Sequence, residues 1–168
     1  MIFIRLDENL SHHIAAFATK IGIPQHVVIE APVPLNEQGL PDATWMELFA
    51  KRGRPRDRRA AFSADDFTPA ERALAEELGI TLFSVPASFW RPLKRLGQVA
   101  FVLRWLTRMI ELIEQHPPGT QFRLPRSFNP GSKVQPLDRI RDKKVVRPGR
   151  PRRPKRMPLL ERKKDRGS

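Results

Sequence analysis

The chain has 168 residues, no cysteine and a formal net charge of +13, and that charge is unevenly placed. Residues 1–124 carry 15 Lys/Arg against 14 Asp/Glu, whereas residues 125–168 carry 16 against 4, together with seven of the 17 prolines. These totals exclude disulfides and thiolate metal sites, and no apolar run reaches the roughly 18–20 residues that span a bilayer. A charge-balanced domain over 1–124, long enough to bury roughly two-thirds of its unfolded surface, is therefore expected. After it comes a Pro/Arg/Lys-rich tail, 125–168, whose composition predicts disorder; Met157, Leu159 and Leu160 are its candidate anchors. The lack of cysteine suits a reducing cytoplasm, and the first apolar run meets Asp7 and Glu8 too soon to be a signal peptide.

In chain order, Ile2, Phe3, Ile4 and Leu6 predict a buried strand that stops at an acidic pair. Leu10, Ile14, Phe17 and Ile21 share one helical face, with Asn9 as a candidate N-cap and Gly22 as the stop. A β-branched strand over 26–30 ends at Glu30, and strand, helix, strand in about 30 residues is the parallel crossover unit. The next helix runs from Asp42, a candidate N-cap, to Arg52, with Trp45, Leu48 and Phe49 facing inward and Gly53 ending it.

The pattern then calls for a strand, but Arg54–Arg59 leads only into the short, weakly apolar Ala60–Ser63 before Asp65 and Asp66. Thr68-Pro69-Ala70-Glu71 reads as a capping box with proline at the first helical position, opening a helix that buries Leu74 and Leu78. Ile80–Val85 is a fourth strand. Residues 92–115 carry two apolar stripes, one through Leu96, Val99, Leu103, Leu106, Ile110 and Ile113, the other through Val102, Trp105, Met109 and Leu112. One stripe covers a sheet; the second serves either a partner surface, such as a homodimer, or deeper burial. Phe122–Leu124 is a candidate closing segment.

The expected fold is thus α/β: a three-layer α/β/α sandwich on a central, mainly parallel four-stranded sheet, with a disordered basic tail. On such a sheet Asp7, Glu30, Asp42, Asp65 and Asp66 all fall on the carboxyl side, where open α/β sheets bind ligands. Gathered carboxylates form a hard-oxygen site suited to Mg²⁺ or Mn²⁺, and a divalent cation relieves the mutual repulsion that raises their pKa values.

The segments Leu6-Asp7-Glu8-Asn9-Leu10-Ser11, Gly39-Leu40-Pro41-Asp42 with Trp45, Ser63-Ala64-Asp65, Ala70-Glu71-Arg72-Ala73 and Gly79–Phe83 together resemble the PIN-like domains of bacterial toxin–antitoxin modules. The likeness covers about residues 1–115. It implies a ribonuclease dependent on Mg²⁺ or Mn²⁺, restrained by an antitoxin with a helix-turn-helix domain. Carried over, Asp7, Asp42 and Asp65 are the catalytic, metal-binding carboxylates. Asp66 is the alternative to Asp65, and Glu71 and Glu30 are further metal candidates. The arginine-laden third strand and the basic tail lie outside the shared pattern.

Each acid also has a structural reading. Asp42 and Glu71 serve helix N-termini with or without metal, and a strand-end Glu30 is commonly just solvated. His12 and His13 are adjacent, a spacing unsuited to two ligands on one helix face, and Ser63 has no companion that would make it a nucleophile. The Arg54–Arg59 run is either a phosphate contact, favoured because it leads into the acidic end, or only a solvated loop, and no glycine-rich phosphate loop is present. The rival functional reading is a catalytically impaired PIN-like protein that holds nucleic acid or an acidic partner through its basic tail.

Overall fold

The computed structural model describes residues 1–6, 12–20, 22–32, 37–129, 134 and 136–137, and the side chains of residues 12, 13, 18 and 19 lie outside that description. Five strands form the sheet: β1 (Ile2–Leu6), β2 (Val27–Glu30), β3 (Arg58–Ser63), β4 (Ile80–Ser84) and β5 (Gln121–Arg123). All neighbours run parallel in the order β2-β1-β3-β4-β5. Five helices connect them: α1 (His12–Lys20), α2 (Asp42–Ala50), α3 (Pro69–Glu77), α4 (Ala87–Trp90) and α5 (Arg95–Gln115). The sheet therefore has five strands rather than the expected four, because the segment around Phe122 pairs with β4 from Leu82↔Gln121 to Ser84↔Arg123.

Parallel strands covered on both faces read as continuous apolar runs, and successive residues of these strands divide between two clusters. Ile2, Ile4, Leu6, Ala60, Phe62, Phe83 and Phe122 pack with Ile14 of α1, Trp90 of α4 and the buried side of α5. Ala61, Ile80 and Leu82 pack with Met46 and Phe49 of α2 and Ala75 of α3, with Phe3 alongside.

The segment that looks weakest in sequence is the central strand. β3 pairs with β1 and β4 at once, and four of its six residues are buried. Its alanines leave room for helices on both faces, and its arginines donate to backbone carbonyls, although Arg58 Nε is left without a partner among the described residues. Arg59 is buried and donates to the carbonyl oxygens of Arg52 (3.0 Å), Asp57 (2.9 Å) and Arg54 (3.0 Å). Arg58 donates to those of Ile113 and His116. These residues sit at the amino end of β3, opposite the end occupied by Ser63, so the expected phosphate contact near the acidic residues is not where Arg58 and Arg59 lie.

Helix faces differ in detail from their periodicity. In α2, Met46 and Phe49 are buried while Leu48 is 42% exposed, and in α1 Phe17 is 49% exposed. In α3 the fully buried residue is Ala75, with Leu74 and Leu78 half-buried against it. Both stripes of α5 are largely consumed inside the chain, from Val102 to Ile113, and Leu96 is left 81% exposed. The chain also stays on the domain past the expected boundary at 124. The Phe128 ring meets Trp105 edge-on at 5.0 Å; Val134 and Leu137 are buried. The Leu137 N–H donates to the Gln121 carbonyl at 2.9 Å. No described helix is long and apolar enough to cross a membrane.

Candidate active site

β2 lies on one side of β1 and β3 on the other, so the direction of winding reverses between β1 and β3. Connections leaving the carboxyl ends of two such strands diverge and open a crevice. A cleft of about 290 Å³ lies there, floored by Leu6, Ala61 and Phe62 and walled by Pro32, Glu37, Leu40, Asp42, Trp45 and the segment Ser63–Thr68, with Glu71. Four of the expected acids, Asp42, Asp65, Asp66 and Glu71, line this one cleft. Asp7 directly follows Leu6 in sequence but lies outside the described residues.

Asp42 does not cap α2 as expected. Pro41 is the N-cap, it makes no side-chain cap hydrogen bond, and Asp42 is the first helical residue. Its carboxylate instead accepts the Trp45 indole N–H at 2.9 Å and is near enough to Glu71 to influence that carboxyl's pKa. Glu71 closes the capping box of α3: its carboxylate accepts the Thr68 N–H at 2.6 Å, while its own N–H donates to Thr68 Oγ1 at 3.3 Å. Burial pushes the Glu71 carboxyl up, the Thr68 N–H opposes this, and the hydrogen bond and charge of Asp42 push it up further. Burial first, and the neighbouring Asp42 carboxylate second, thus leave Glu71 above its ordinary value.

The adjacent aspartates are treated differently. Asp66 accepts Arg123 Nη2 at 2.8 Å and the Ser84 hydroxyl at 3.5 Å, which ties the start of α3 to β4 and β5. Asp65 is exposed in the cleft, and its backbone N–H donates to Ser63 Oγ at 3.1 Å. Ser63 therefore shapes the turn that presents Asp65, and Asp65 is the better placed of the two for chemistry.

Glu30 is not among the lining residues. It lies 3.4 Å from Arg52 Nε, and burial raises its pKa against the lowering effect of Arg52 and Arg5. The same arginine meets Glu37 at 2.5 Å, and Glu37 also pairs with the buried Arg5. Burial pushes Glu37 up, but the Arg5 hydrogen bond and charge, reinforced by Arg52, outweigh it and hold the carboxyl below its ordinary value. The buried Arg5, the partly exposed Arg52 and two anions balance here. The Arg5 guanidinium carbon also lies 4.9 Å from the Trp45 ring centroid, a cation–π contact.

Arg5, Glu37 and Arg52 were not singled out in the sequence. Arg5 did break an otherwise apolar strand, and a charge at a buried strand position demands a partner; that was the available signal. Among the described residues no three His, Asp or Glu side chains stand close enough to hold a metal ion by themselves. A second recess of about 270 Å³, between α4, α5 and Phe128, has Arg104 and Arg126 at its edge and no acidic lining residue.

No family model, curated protein or solved structure matches the chain.

Proposed function

We propose that this chain is a PIN-like endoribonuclease, hydrolysing RNA phosphodiester bonds with Mg²⁺ or Mn²⁺, and that it is the toxin of a toxin–antitoxin pair. The observation that carries the reading is the Asp42–Glu71 carboxylate pair, set beside Asp65 in a crevice at the reversal of the sheet. Helices that contribute to clusters on both faces of a parallel sheet suit the three-layer PIN-like arrangement.

The donor set fits a hard divalent ion. It is all oxygen, and Glu71, pushed up by burial and further by the charge of Asp42, sits beside a second carboxylate that a cation would relieve. Asp42, Glu71 and Asp65, with Asp7 from the sequence motif, are the residues that would hold it. When bound, such an ion supplies an activated water and neutralises charge on the leaving oxygen.

The chain's own groups do the rest. The Thr68 N–H fixes one Glu71 oxygen, Ser63 fixes the turn carrying Asp65, and Glu37 with Glu30 absorbs the charge of Arg5 and Arg52. The basic residues beyond 137 add salt-dependent affinity for the RNA backbone. A helix-turn-helix antitoxin is the proposed restraint, and the cytoplasm the proposed place of action.

The test is cleavage of labelled RNA by the full chain in Mn²⁺ against EDTA. Wild type should cut only with metal, and Asp42→Ala and Asp65→Ala should each lose more than about a hundredfold, beyond the usual effect of removing an outer partner. Metal-independent cutting, or folded variants with full activity, would remove the proposal. RNA binding without cutting would leave the impaired, tail-binding alternative.

A further inference from the structure

Trp45 and Arg5 sit between the charge network and the cleft, and their contacts run in sequence toward Asp42. Glu37 pairs with Arg5 and is braced on its other oxygen by Arg52 at 2.5 Å. Arg5 is buried at 4% exposure in β1, so its side chain has little freedom. Its guanidinium covers the Trp45 ring at 4.9 Å and so restricts how the indole can turn. The indole N–H then reaches Asp42 Oδ1 at 2.9 Å, three residues back on the same helix.

An indole nitrogen is a donor only. It can therefore only donate to an accepting oxygen of Asp42, here Oδ1, and it leaves the other oxygen for Glu71 or a ligand. Arg5 is not a free phosphate ligand, because Glu37, Glu30 and Arg52 complete a neutral set around it.

We infer that Trp45, locked by Arg5 and Glu37, is a positioning residue that orients Asp42 for the cation of the cleft. The inference rests on the metal-dependent reading above. In metal sites generally, an outer hydrogen bond fixes the orientation of a ligating group, and its removal typically lowers metal affinity about 10- to 100-fold. Trp45→Phe keeps an aromatic face under Arg5 and removes the N–H, together with part of the indole's ring area. It should lower Mn²⁺ affinity about tenfold while the fold persists.

The experiment is Mn²⁺ calorimetry on the full chain as wild type, Trp45→Phe, Asp42→Asn and the double variant, with circular dichroism to verify folding. The expected result is weaker binding in Trp45→Phe and no further loss when that change is added to Asp42→Asn, because the indole acts through Asp42. Equal affinity in wild type and Trp45→Phe would overturn the positioning role and leave the metal reading intact, as would full additivity in the double variant. No Mn²⁺ binding by wild type would sink the metal reading and the positioning role with it. If Trp45→Phe does not fold, Glu37→Gln takes its place: it loosens the Arg5 clamp and should weaken Mn²⁺ about threefold, by an outer-partner effect at one further remove, while unchanged affinity there overturns the role.

Discussion

The two ends of the sheet use their charged residues in opposite ways. At the amino end every buried charge is answered. Asp57 accepts the Arg54 N–H at 2.6 Å and the Met1 amino group at 2.9 Å, and these hold its carboxyl below the ordinary range. Arg58 and Arg59 are spent on backbone carbonyls. Even Gly53 belongs to this arrangement: its φ is +69°, and a Cβ there would lie 2.6 Å from Asp57 Oδ2. At the carboxyl end burial raises Glu71, and the charge of Asp42 raises it further rather than answering it. A fold gains nothing from such a pair, so the place where compensation stops is the place to look for function.

The contrast breaks first, and by most, at Arg59. Arg59→Ala leaves three carbonyls without their donor and should cost about 3 kcal/mol, read as a lower urea midpoint with unchanged slope. A variant within about 0.5 kcal/mol of wild type would show that the amino end is not pinned as described.

Glu71→Gln should act the other way in metal-free protein. Glutamine can still close the capping box, and it removes the repulsion from Asp42. Because the folded pKa of Glu71 lies above its unfolded value, the stability of its protonated form is fully present below about pH 4.3 and is lost as pH rises through the folded value. The variant should therefore be more stable than wild type at pH 7, by about 0.5 kcal/mol after allowing for solvent screening. That advantage should vanish in acid, and thermal melts at several pH values would check it. The smallest effect is expected at Arg123→Ala, whose half-exposed pair with Asp66 is worth under about 0.5 kcal/mol. Asp66→Asn should likewise leave RNA cleavage within about threefold of wild type, as befits an exposed ion pair, whereas a loss matching that of Asp65→Asn would reverse the assignment of the two aspartates.

The strands and helices were legible where local chemistry fixes them. The capping box at Thr68 and Glu71 and the apolar runs of β1 and β4 needed no tertiary information. β3 is hard to read because its arginines are answered by carbonyls: those of Arg52, Arg54 and Asp57, after α2, for Arg59, and those of Ile113 in α5 and His116 after it for Arg58, the last two being distant partners that no window of sequence displays. β5 was undersized for the same reason: three residues make a strand only against an existing edge. Val134 and Leu137 were hidden in a basic, proline-rich context that composition reads as disordered. In the site, the acids were visible as strand ends and helix starts. Their sorting into a facing pair, an exposed aspartate and a spent one depends on Arg123, Arg52 and Trp45, contacts set by the tertiary fold or by side-chain rotamers.

Anomalous scattering from crystals of the full chain soaked in Mn²⁺ tests the central claim most directly. The account predicts a peak within the cleft beside Asp42 and Glu71 that is absent from Asp42→Ala crystals. A cleft without a peak at saturating Mn²⁺, or a peak that persists in Asp42→Ala, would contradict it.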